Sequence, residues 1–287
     1  MFAPSHTQIA EFKDRGYVVT PHLFAASDVA AMRSTVAEAV HARTTGAAPV
    51  GDRHIGPTTA RYAEQFTQCL NLWEDEPNVE RIVRDPRLTV TAARLLDTDR
   101  VRVFQDQALF KAPGSAPTYA HQDVAYWPMA TAECVTAWIP LSPTGSTCDT
   151  GAMGYVAGSH LSDHCEFADI AHVDDQKQLE AHEAALLAHP VWRGASPTYV
   201  EADVGSVVWH HGLTVHRALP NVSAGPREVF TVVYFADGVV RGSVLPRASN
   251  VPHFVTDGPS GERVAVGQSL ASSRMPIVYQ TKAKARL

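Results

Sequence analysis

A chain of 287 residues with a formal net charge of −6 is long enough to bury a large core, and one decorated all-β domain can fill it. Its 24 lysine and arginine residues against 30 aspartate and glutamate residues argue against nucleic acid or an anionic membrane as a partner. The sequence shows no spanning apolar run, no secretory leader and no Cys-x-x-Cys pair among four cysteines, so we expect a cytoplasmic enzyme with free thiols.

The N-terminal part of the chain, about residues 8–97, is predicted to be mainly helical. Residues 12–19 are typical of a short helix that closes on Gly16 and turns into a strand. A second helix is expected from Ser27, a good N-cap, because apolar residues recur at helical spacing from Val29 to Val40. We interpret this helix as one that faces the core.

A loop and a third helix follow. Residues 44–68 have poor periodicity and many Gly, Pro and Thr residues, which predicts a surface loop or a lid over a pocket. If the segment is a lid, Arg53 and His54 are candidate substrate contacts. Asp85 and Pro86 then begin a helix as N-cap and first-turn proline, and its apolar side is expected to pack on the outside of a sheet.

From Val101 the apolar spacing changes from helical to alternating. The predicted strands cover residues 101–111, 134–141, 152–157, 206–211, 213–218 and 227–235. Short strands between Gly and Pro turns predict a mainly β fold, a double-stranded β-helix (a jelly roll or cupin-like barrel) with helices on one outer face. We expect one domain over residues 1–287, with the barrel core at about 101–236 and a C-terminal wrap at about 237–287.

The chemistry is indicated by the tripeptide His121-Gln122-Asp123. In an extended segment, side chains two positions apart project to the same side, so an imidazole and a carboxylate lie together. These are two of the three ligands in the two-histidine, one-carboxylate face that binds non-haem Fe(II). The third ligand must come from elsewhere, and one downstream stretch offers three candidates: His210, His211 and His216.

At these residues the chain resembles the phytanoyl-CoA dioxygenase family of Fe(II)/2-oxoglutarate oxygenases. The resemblance runs from about Phe12 to Phe235. It rests on His121-Gln122-Asp123, Gly158-Ser159-His160, His216-x-x-x-Pro220-Asn221 and Arg227. It implies the barrel fold, Fe(II) bound by His121, Asp123 and His216, and 2-oxoglutarate and O₂ as cosubstrates. Only His216 has both the Pro-Asn turn and the arginine at the family offset.

The resemblance also implies a 2-oxoglutarate pocket. Arg227 would hold the C5 carboxylate, since a guanidinium grips a carboxylate through two parallel charge-assisted hydrogen bonds. Trp138 would line the pocket, unless it serves only in core packing, and Lys111 or Gln107 would reach the cosubstrate or the substrate. Gln122 and Tyr126, within and beside the tripeptide, are further candidate substrate contacts.

Two residues refine this expectation: Ala218, which departs from the family pattern, and the carboxylate Asp123. Many relatives carry a serine two positions after the distal histidine, whereas this chain has Ala218, so Arg227 would carry more of the grip or Thr231 would replace the hydroxyl. Relatives that halogenate have a small residue in place of the carboxylate ligand. Because Asp123 is present, hydroxylation is favoured over halogen transfer.

Alternative functions are a zinc hydrolase with the same three ligands and a catalytically silent barrel that binds a small molecule. His160 and His164, at an i, i+4 spacing, are a weaker metal pair. Between His160 and Pro190 seven acidic residues accompany one lysine, Lys177. If this insert lies near the active-site mouth, the field favours a neutral or cationic small metabolite or natural product over a coenzyme A thioester. We expect a monomer or homodimer.

Overall fold

The computed structural model describes residues 3–46, 66–142, 145–166, 170, 173, 175–243 and 264–281. Its helices are α1 (His6–Arg15), α2 (Ala26–Thr44), α3 (Pro77–Val83), α4 (Pro86–Leu95) and α5 (Gln176–Leu187). Its strands are β1 (Tyr17–Thr20), β2 (Phe66–Leu70), β3 (Arg100–Lys111), β4 (Thr118–His121), β5 (Cys134–Pro140), β6 (Met153–Tyr155), β7 (Thr198–Val200), β8 (Val207–His211), β9 (His216–Ala218), β10 (Arg227–Ala236) and β11 (Ile277–Gln280). Arg53 and His54 lie outside the described residues.

Helix boundaries follow local capping chemistry. The Ser5 hydroxyl accepts a hydrogen bond from the Gln8 amide at the start of α1, and the helix ends at Gly16. Gly16 has φ 80°, and a Cβ there would lie 2.5 Å from side-chain atoms of His160 and Thr214, so glycine suits both the turn and the packing. Asp85 caps α4 as predicted, whereas α2 begins at Ala26, one residue before the expected cap Ser27.

Two antiparallel sheets form the body of the molecule. The seven-stranded sheet, called the major sheet here, has the order β1-β8-β5-β10-β3-β11, and β2 also pairs with β3. The minor sheet has the order β4-β9-β6-β7. This is the expected double-stranded β-helix architecture. Strand β2 lies at the end of the predicted loop and is a correction to that prediction, while β11 shows that the described part of the C-terminal segment wraps onto the sheet.

The two faces of the major sheet have different partners, because side chains alternate along each strand. Its outer face carries Val18, Val135, Trp209, Phe230 and Tyr234, which share one apolar cluster with Val36 of α2 and with Leu88 and Ala92 of α4. Its inner face carries Tyr17, Trp138, Val208 and Val229, which pack with Met153, Tyr155 and Ala218 of the minor sheet. The helices therefore cover one outer face of the major sheet, as predicted, and the minor sheet covers its inner face.

The described helix of the acidic insert packs on the outside of the minor sheet. Helix α5 packs behind the minor sheet, where Leu186 shares a cluster with Ala120 and Val215, and these two neighbour His121 and His216 in sequence but face outward. Glu183 accepts a hydrogen bond from the Ala120 amide at 2.8 Å and pairs with Arg217 at 3.1 Å. The described helix is thus a support for β4 and β9, and its charge gives no measure of the field at the mouth.

Other predicted features of this region are also resolved. Gly158-Ser159-His160 forms a short turn, as expected from the family motif. His160 donates from Nε2 to the Lys13 carbonyl at 3.1 Å, whereas the ring of His164 stacks on His189 with 3.9 Å between centroids. The two histidines therefore have different partners and do not form a metal pair. Among the described residues, no helix has the length and apolar character needed to cross a bilayer.

Thiol burial makes a direct prediction. Cys69 and Cys134 are fully buried, which raises the pKa of the Cys69 thiol to about 11 and that of Cys134 further, while Cys148 and Cys165 are exposed. Since the thiolate is the reactive form, a thiol reagent at pH 8 should label Cys148 and Cys165 in the native protein. Cys69 and Cys134 should react only after denaturation. Mass spectrometry of labelled peptides checks this, and native labelling of Cys69 would contradict the packing.

Candidate metal and cosubstrate site

The tripeptide lies where β4 gives way to a short turn. Strand β4 ends at His121, and Asp123 begins a 3₁₀ turn over Asp123–Tyr126. Between them Gln122 has φ −124° and ψ 129°, which is extended, so the side chains of His121 and Asp123 point to the same side as predicted. The sequence argument therefore holds for the backbone at Gln122, although the strand itself ends at His121, two residues before the end of the motif.

The third side chain arrives from β9, because His216 is the cross-strand partner of His121. Asp123 Oδ1 lies 3.6 Å from His216 Nε2 and 3.9 Å from His121 Nε2. One potential ligand atom from each of the three residues falls within 4.8 Å of the others. Two strands and one turn thus place two imidazoles and one carboxylate around a common point.

Hydrogen bonds fix which ring nitrogen faces that point. His121 Nδ1 lies 2.8 Å from the Tyr119 carbonyl and His216 Nδ1 lies 2.9 Å from the Thr214 carbonyl. A carbonyl only accepts, so each Nδ1 carries the hydrogen and each Nε2 keeps its lone pair for a metal. Burial is the main cause that lowers the pKa of both histidines, which favours the neutral form that a metal binds.

The two carboxylate oxygens of Asp123 have different contacts. Oδ1 faces the two Nε2 atoms, whereas Oδ2 accepts hydrogen bonds from Thr136 Oγ1 at 2.9 Å and from His210 Nε2 at 3.1 Å. Burial on its own would raise the pKa of this carboxyl, but His216 and then His210 lower it below its usual value. The group is therefore ionised and held in one orientation.

The three candidate histidines of the downstream stretch have separate places. His216 is in the cluster, His210 is hydrogen-bonded to Asp123, and His211 lies against the rings of Phe12 and His160. Burial, followed by His160 and His210, lowers the pKa of His211 to about 4. The geometry therefore separates His216 from its two neighbours, which sequence spacing alone did not.

At the far end of the inner face lie two buried basic side chains. Arg227 of β10 is the cross-strand partner of Lys111 of β3, and both side chains are 2% exposed. Arg227 Nη1 donates to the Gly151 carbonyl at 3.1 Å, and its guanidinium carbon is 5.7 Å from the centre of the Trp138 ring. Burial, and then Arg227 and Arg217, hold the pKa of Lys111 well below its usual value. This end of the interior suits a carboxylate.

Three other expected cosubstrate residues lie between the basic side chains and the metal cluster. Thr231 pairs with Gln107 on one side and with Trp138 on the other, so their side chains share the inner face. The amide of Gln107 accepts a hydrogen bond from Gln68 at 2.8 Å, and Lys111 Nζ donates to the carbonyls of Ala116 and Leu219. The structure thus gives these polar side chains protein partners, and their roles toward a cosubstrate stay predictions.

The expected substrate contacts fare differently. Tyr126 lies beside the metal cluster, its ring 5.8 Å from that of His121. Gln122 is fully buried, donates to the carbonyls of His164 and Leu213, and accepts from the Glu166 amide. Its amide thus secures the insert behind the minor sheet, a placement that disfavours a substrate contact.

Several site residues were not anticipated in the roles that they have, and His210 was considered only as a candidate third ligand. Thr136 and His210 donate hydrogen bonds to Asp123, and the Tyr155 hydroxyl contacts His210. Gln105 is 3% exposed and is the cross-strand partner of Val233. Its side chain makes no hydrogen bond within the described residues. Their signal in sequence is weak, because each is an inward-facing polar residue of an otherwise apolar strand. Apolar Phe104, Trp127 and Phe235 form a neighbouring cluster beside these polar groups.

The donor set fits a divalent metal: two neutral imidazole nitrogens and one carboxylate oxygen on one side, with their second atoms held by the protein. A double-stranded β-helix that carries this face above a buried arginine is the framework of the 2-oxoglutarate-dependent non-haem iron dioxygenases. The model of the phytanoyl-CoA dioxygenase (PhyH) family matches residues 12–229, and the chain belongs to this family.

Individual relatives agree with this placement. A protein of Stutzerimonas stutzeri, named a probable alpha-ketoglutarate-dependent hypophosphite dioxygenase, is 26% identical over 242 residues, which are 80% of this chain and 78% of that protein. The crystal structure of the carbocyclase SnoK from nogalamycin biosynthesis has a TM-score of 0.74 at 24% identity and covers 96% of both chains. EctD from S. alaskensis, solved with 2-oxoglutarate and 5-hydroxyectoine, has a TM-score of 0.69 at 21% identity over 92% of this chain and 86% of its own. These two structures support the fold.

Proposed function

We propose that His121, Asp123 and His216 hold Fe(II), that Arg227 binds the C5 carboxylate of 2-oxoglutarate, and that the enzyme hydroxylates an unactivated C–H bond of a small metabolite. The observation that carries the proposal is the cluster of three ligand atoms within 4.8 Å, on the same interior as a buried arginine. When bound, iron and 2-oxoglutarate supply the oxidising power: O₂ gives one oxygen atom to the C–H bond and one to succinate, and CO₂ leaves.

The protein's own contribution is position and exclusion of water. Carbonyl-anchored His121 and His216 present fixed Nε2 atoms, so the open side of the site has a constant direction. Arg227, supported by Gly151, offers a guanidinium for a bidentate carboxylate contact. The cluster of Phe104, Trp127 and Phe235 provides an apolar neighbourhood in which a C–H bond can be held and water excluded.

The zinc and silent-binder alternatives are disfavoured by the same residues. A zinc hydrolase needs three ligands and a water, but it does not need a buried arginine and lysine at the far end of the cavity. A silent binder does not need three ligand atoms converging with their second nitrogens fixed. Oxygen uptake with Fe(II) and 2-oxoglutarate, beside Zn(II) alone, separates the three functions. Turnover with Zn(II) and no 2-oxoglutarate would overturn the proposal.

The proposal takes a small metabolite as substrate. Support comes from the relatives, whose names include steps of nogalamycin biosynthesis, 5-hydroxyectoine as a bound ligand and hypophosphite as a substrate. The charge of the insert no longer contributes, since α5 lies behind the minor sheet. Succinate formation across free acids, amines, cyclic natural products, hypophosphite and acyl-CoA esters tests this. Hydroxylation of a CoA ester alone would overturn the substrate class. The monomeric or dimeric state and cytoplasmic location stay predictions.

The reaction outcome is a further prediction. Because Asp123 Oδ1 faces the metal point, it occupies the place that a halide ligand would need, so products formed in excess chloride should gain oxygen and no chlorine. Mass spectrometry with ¹⁸O₂ should show one labelled oxygen atom in the product and one in succinate. A chlorinated main product, or a cyclised or epimerised product without added oxygen, would contradict hydroxylation.

A further inference from the structure

We infer that His210 is a positioning residue that, with Thr136, keeps Asp123 a one-oxygen ligand of the metal. The inference rests on the proposed metal site and adds a function to a histidine outside it. His210 is 2% exposed and Thr136 is 4% exposed, and both face the interior of the major sheet. They are cross-strand partners on β8 and β5, so one rigid pair of strands presents both donors.

The two donors meet on a single atom. Thr136 Oγ1 and His210 Nε2 lie 2.9 Å and 3.1 Å from Asp123 Oδ2, whereas the ligand nitrogens of His121 and His216 are nearer to Oδ1. Two hydrogen bonds to Oδ2 use its lone pairs and prevent the carboxylate from turning that oxygen toward the metal. Binding through one oxygen leaves more of the metal free for a two-atom chelator and O₂.

Asp123 at one end of this hydrogen-bond network and Tyr155 at the other determine which ring nitrogen of His210 carries the hydrogen. Ionised Asp123 can only accept, so His210 Nε2 carries hydrogen, and in a neutral imidazole Nδ1 must then accept. Tyr155 supplies the matching donor, with its hydroxyl 3.2 Å from His210 Nδ1. Tyr155 is fully buried and stacks on Tyr17 with ring centres 4.5 Å apart, so the hydroxyl has a fixed place. Tyr155 therefore selects the tautomer of His210 that holds Asp123.

A purely structural role for His210 in core packing does not explain its contacts as well as the positioning role does. His210 uses both ring nitrogens, one on a candidate ligand and one on a buried tyrosine, and its ring lies 4.5 Å from that of His216. Neighbouring His211 has no contact of this kind and lies against Phe12 and His160. The chain therefore provides an adjacent histidine as a matched control for the same substitutions.

The test measures anaerobic Co(II) and Fe(II) affinity and the visible spectrum of the Co(II) protein, which reports coordination number. His210→Leu removes the donor and should weaken metal binding about 10–100-fold, as losses of outer-shell partners do. It should also change the Co(II) spectrum. His210→Gln keeps an N–H donor at a similar reach and should recover most of the affinity. His211→Leu and His211→Gln should bind metal like the wild type.

Two isosteric variants keep the inference falsifiable if His210→Leu does not fold. Thr136→Val removes the second donor and should reproduce the change in spectrum, and Tyr155→Phe should weaken metal binding less. The thermal unfolding temperatures of the metal-free proteins show whether a variant binds metal weakly because it is unfolded or because Asp123 is no longer held in place. Unchanged affinity and spectrum in Thr136→Val and His210→Leu, or a His210→Gln protein as weak as His210→Leu, would overturn the inference. A wild type that binds no metal would overturn the proposed site as well.

Discussion

Replacing His216 with alanine is expected to abolish iron binding and turnover while the protein stays folded. His216 would supply one of the three proposed ligand atoms, and neither neighbouring histidine can replace its Nε2, because His210 Nε2 is engaged with Asp123 and His211 faces Phe12. Only two protein ligands would remain, which is too few to retain a metal whose other coordination positions are open for 2-oxoglutarate and O₂. Equilibrium dialysis with Fe(II), succinate formation and circular dichroism measure the three properties. His121→Ala should behave alike.

The control for this prediction is His211→Ala, which removes a neighbouring half-buried histidine from the same stretch. It should retain iron and turnover, with a change in stability at most. The opposite pattern, iron retained in His216→Ala and lost in His211→Ala, would show that the third ligand is misassigned.

Loss of the Arg227 guanidinium is expected to weaken 2-oxoglutarate binding by about 2–5 kcal/mol, which is a factor of tens to thousands in affinity. The reason is that the bound carboxylate would lose a bidentate charge-assisted partner in an interior shielded from solvent, where Arg227 is 2% exposed. Isothermal titration of the anaerobic metal-bound protein with 2-oxoglutarate gives the change in affinity. Arg227→Lys should fall between the wild type and Arg227→Ala, since it keeps the charge but loses the fork.

Arg217 provides the matched control. It is ten positions earlier in sequence and its charge also acts on Lys111, but its side chain pairs with Glu183 behind the minor sheet. Arg217→Ala therefore removes the same charge without removing a guanidinium from the interior. Its affinity for 2-oxoglutarate should stay close to that of the wild type. Equal losses in the two alanine variants would point to overall charge or stability, and unchanged binding in Arg227→Ala would remove the proposed role.

Local patterns in the sequence were sufficient for much of the fold. The cap at Asp85, the stop at Gly16 and the long alternating strands β3 and β10 are each specified by neighbours along the chain, and the structure confirms them. Strand β2 was missed because five residues after an irregular stretch carry little periodicity, and its identity as a strand comes from pairing with β3.

The site, like the fold, combines features that neighbouring residues specify with features that depend on strand pairing. The spacing of His121 and Asp123 is local and therefore readable, whereas the contacts of Asp123 with Thr136 and His210 join residues 13 and 87 positions apart. Such contacts depend on strand register, which no short pattern encodes. The position of helix α5 was left open for a related reason: the charge of the insert is visible in the sequence, but the contact of Glu183 with the Ala120 amide that sets the position of the helix is not.

The division of the site between two sheets has a consequence for substitutions. The histidines proposed as ligands belong to the minor sheet, whereas Arg227, Trp138 and Lys111 belong to the major sheet. Of the three ligand side chains, Asp123 is the one hydrogen-bonded to the major sheet, through Thr136 and His210. A substitution on the inner face of the major sheet that spares Thr136, His210 and the proposed cosubstrate residue Arg227 therefore leaves the hydrogen bonds of all three proposed ligands intact.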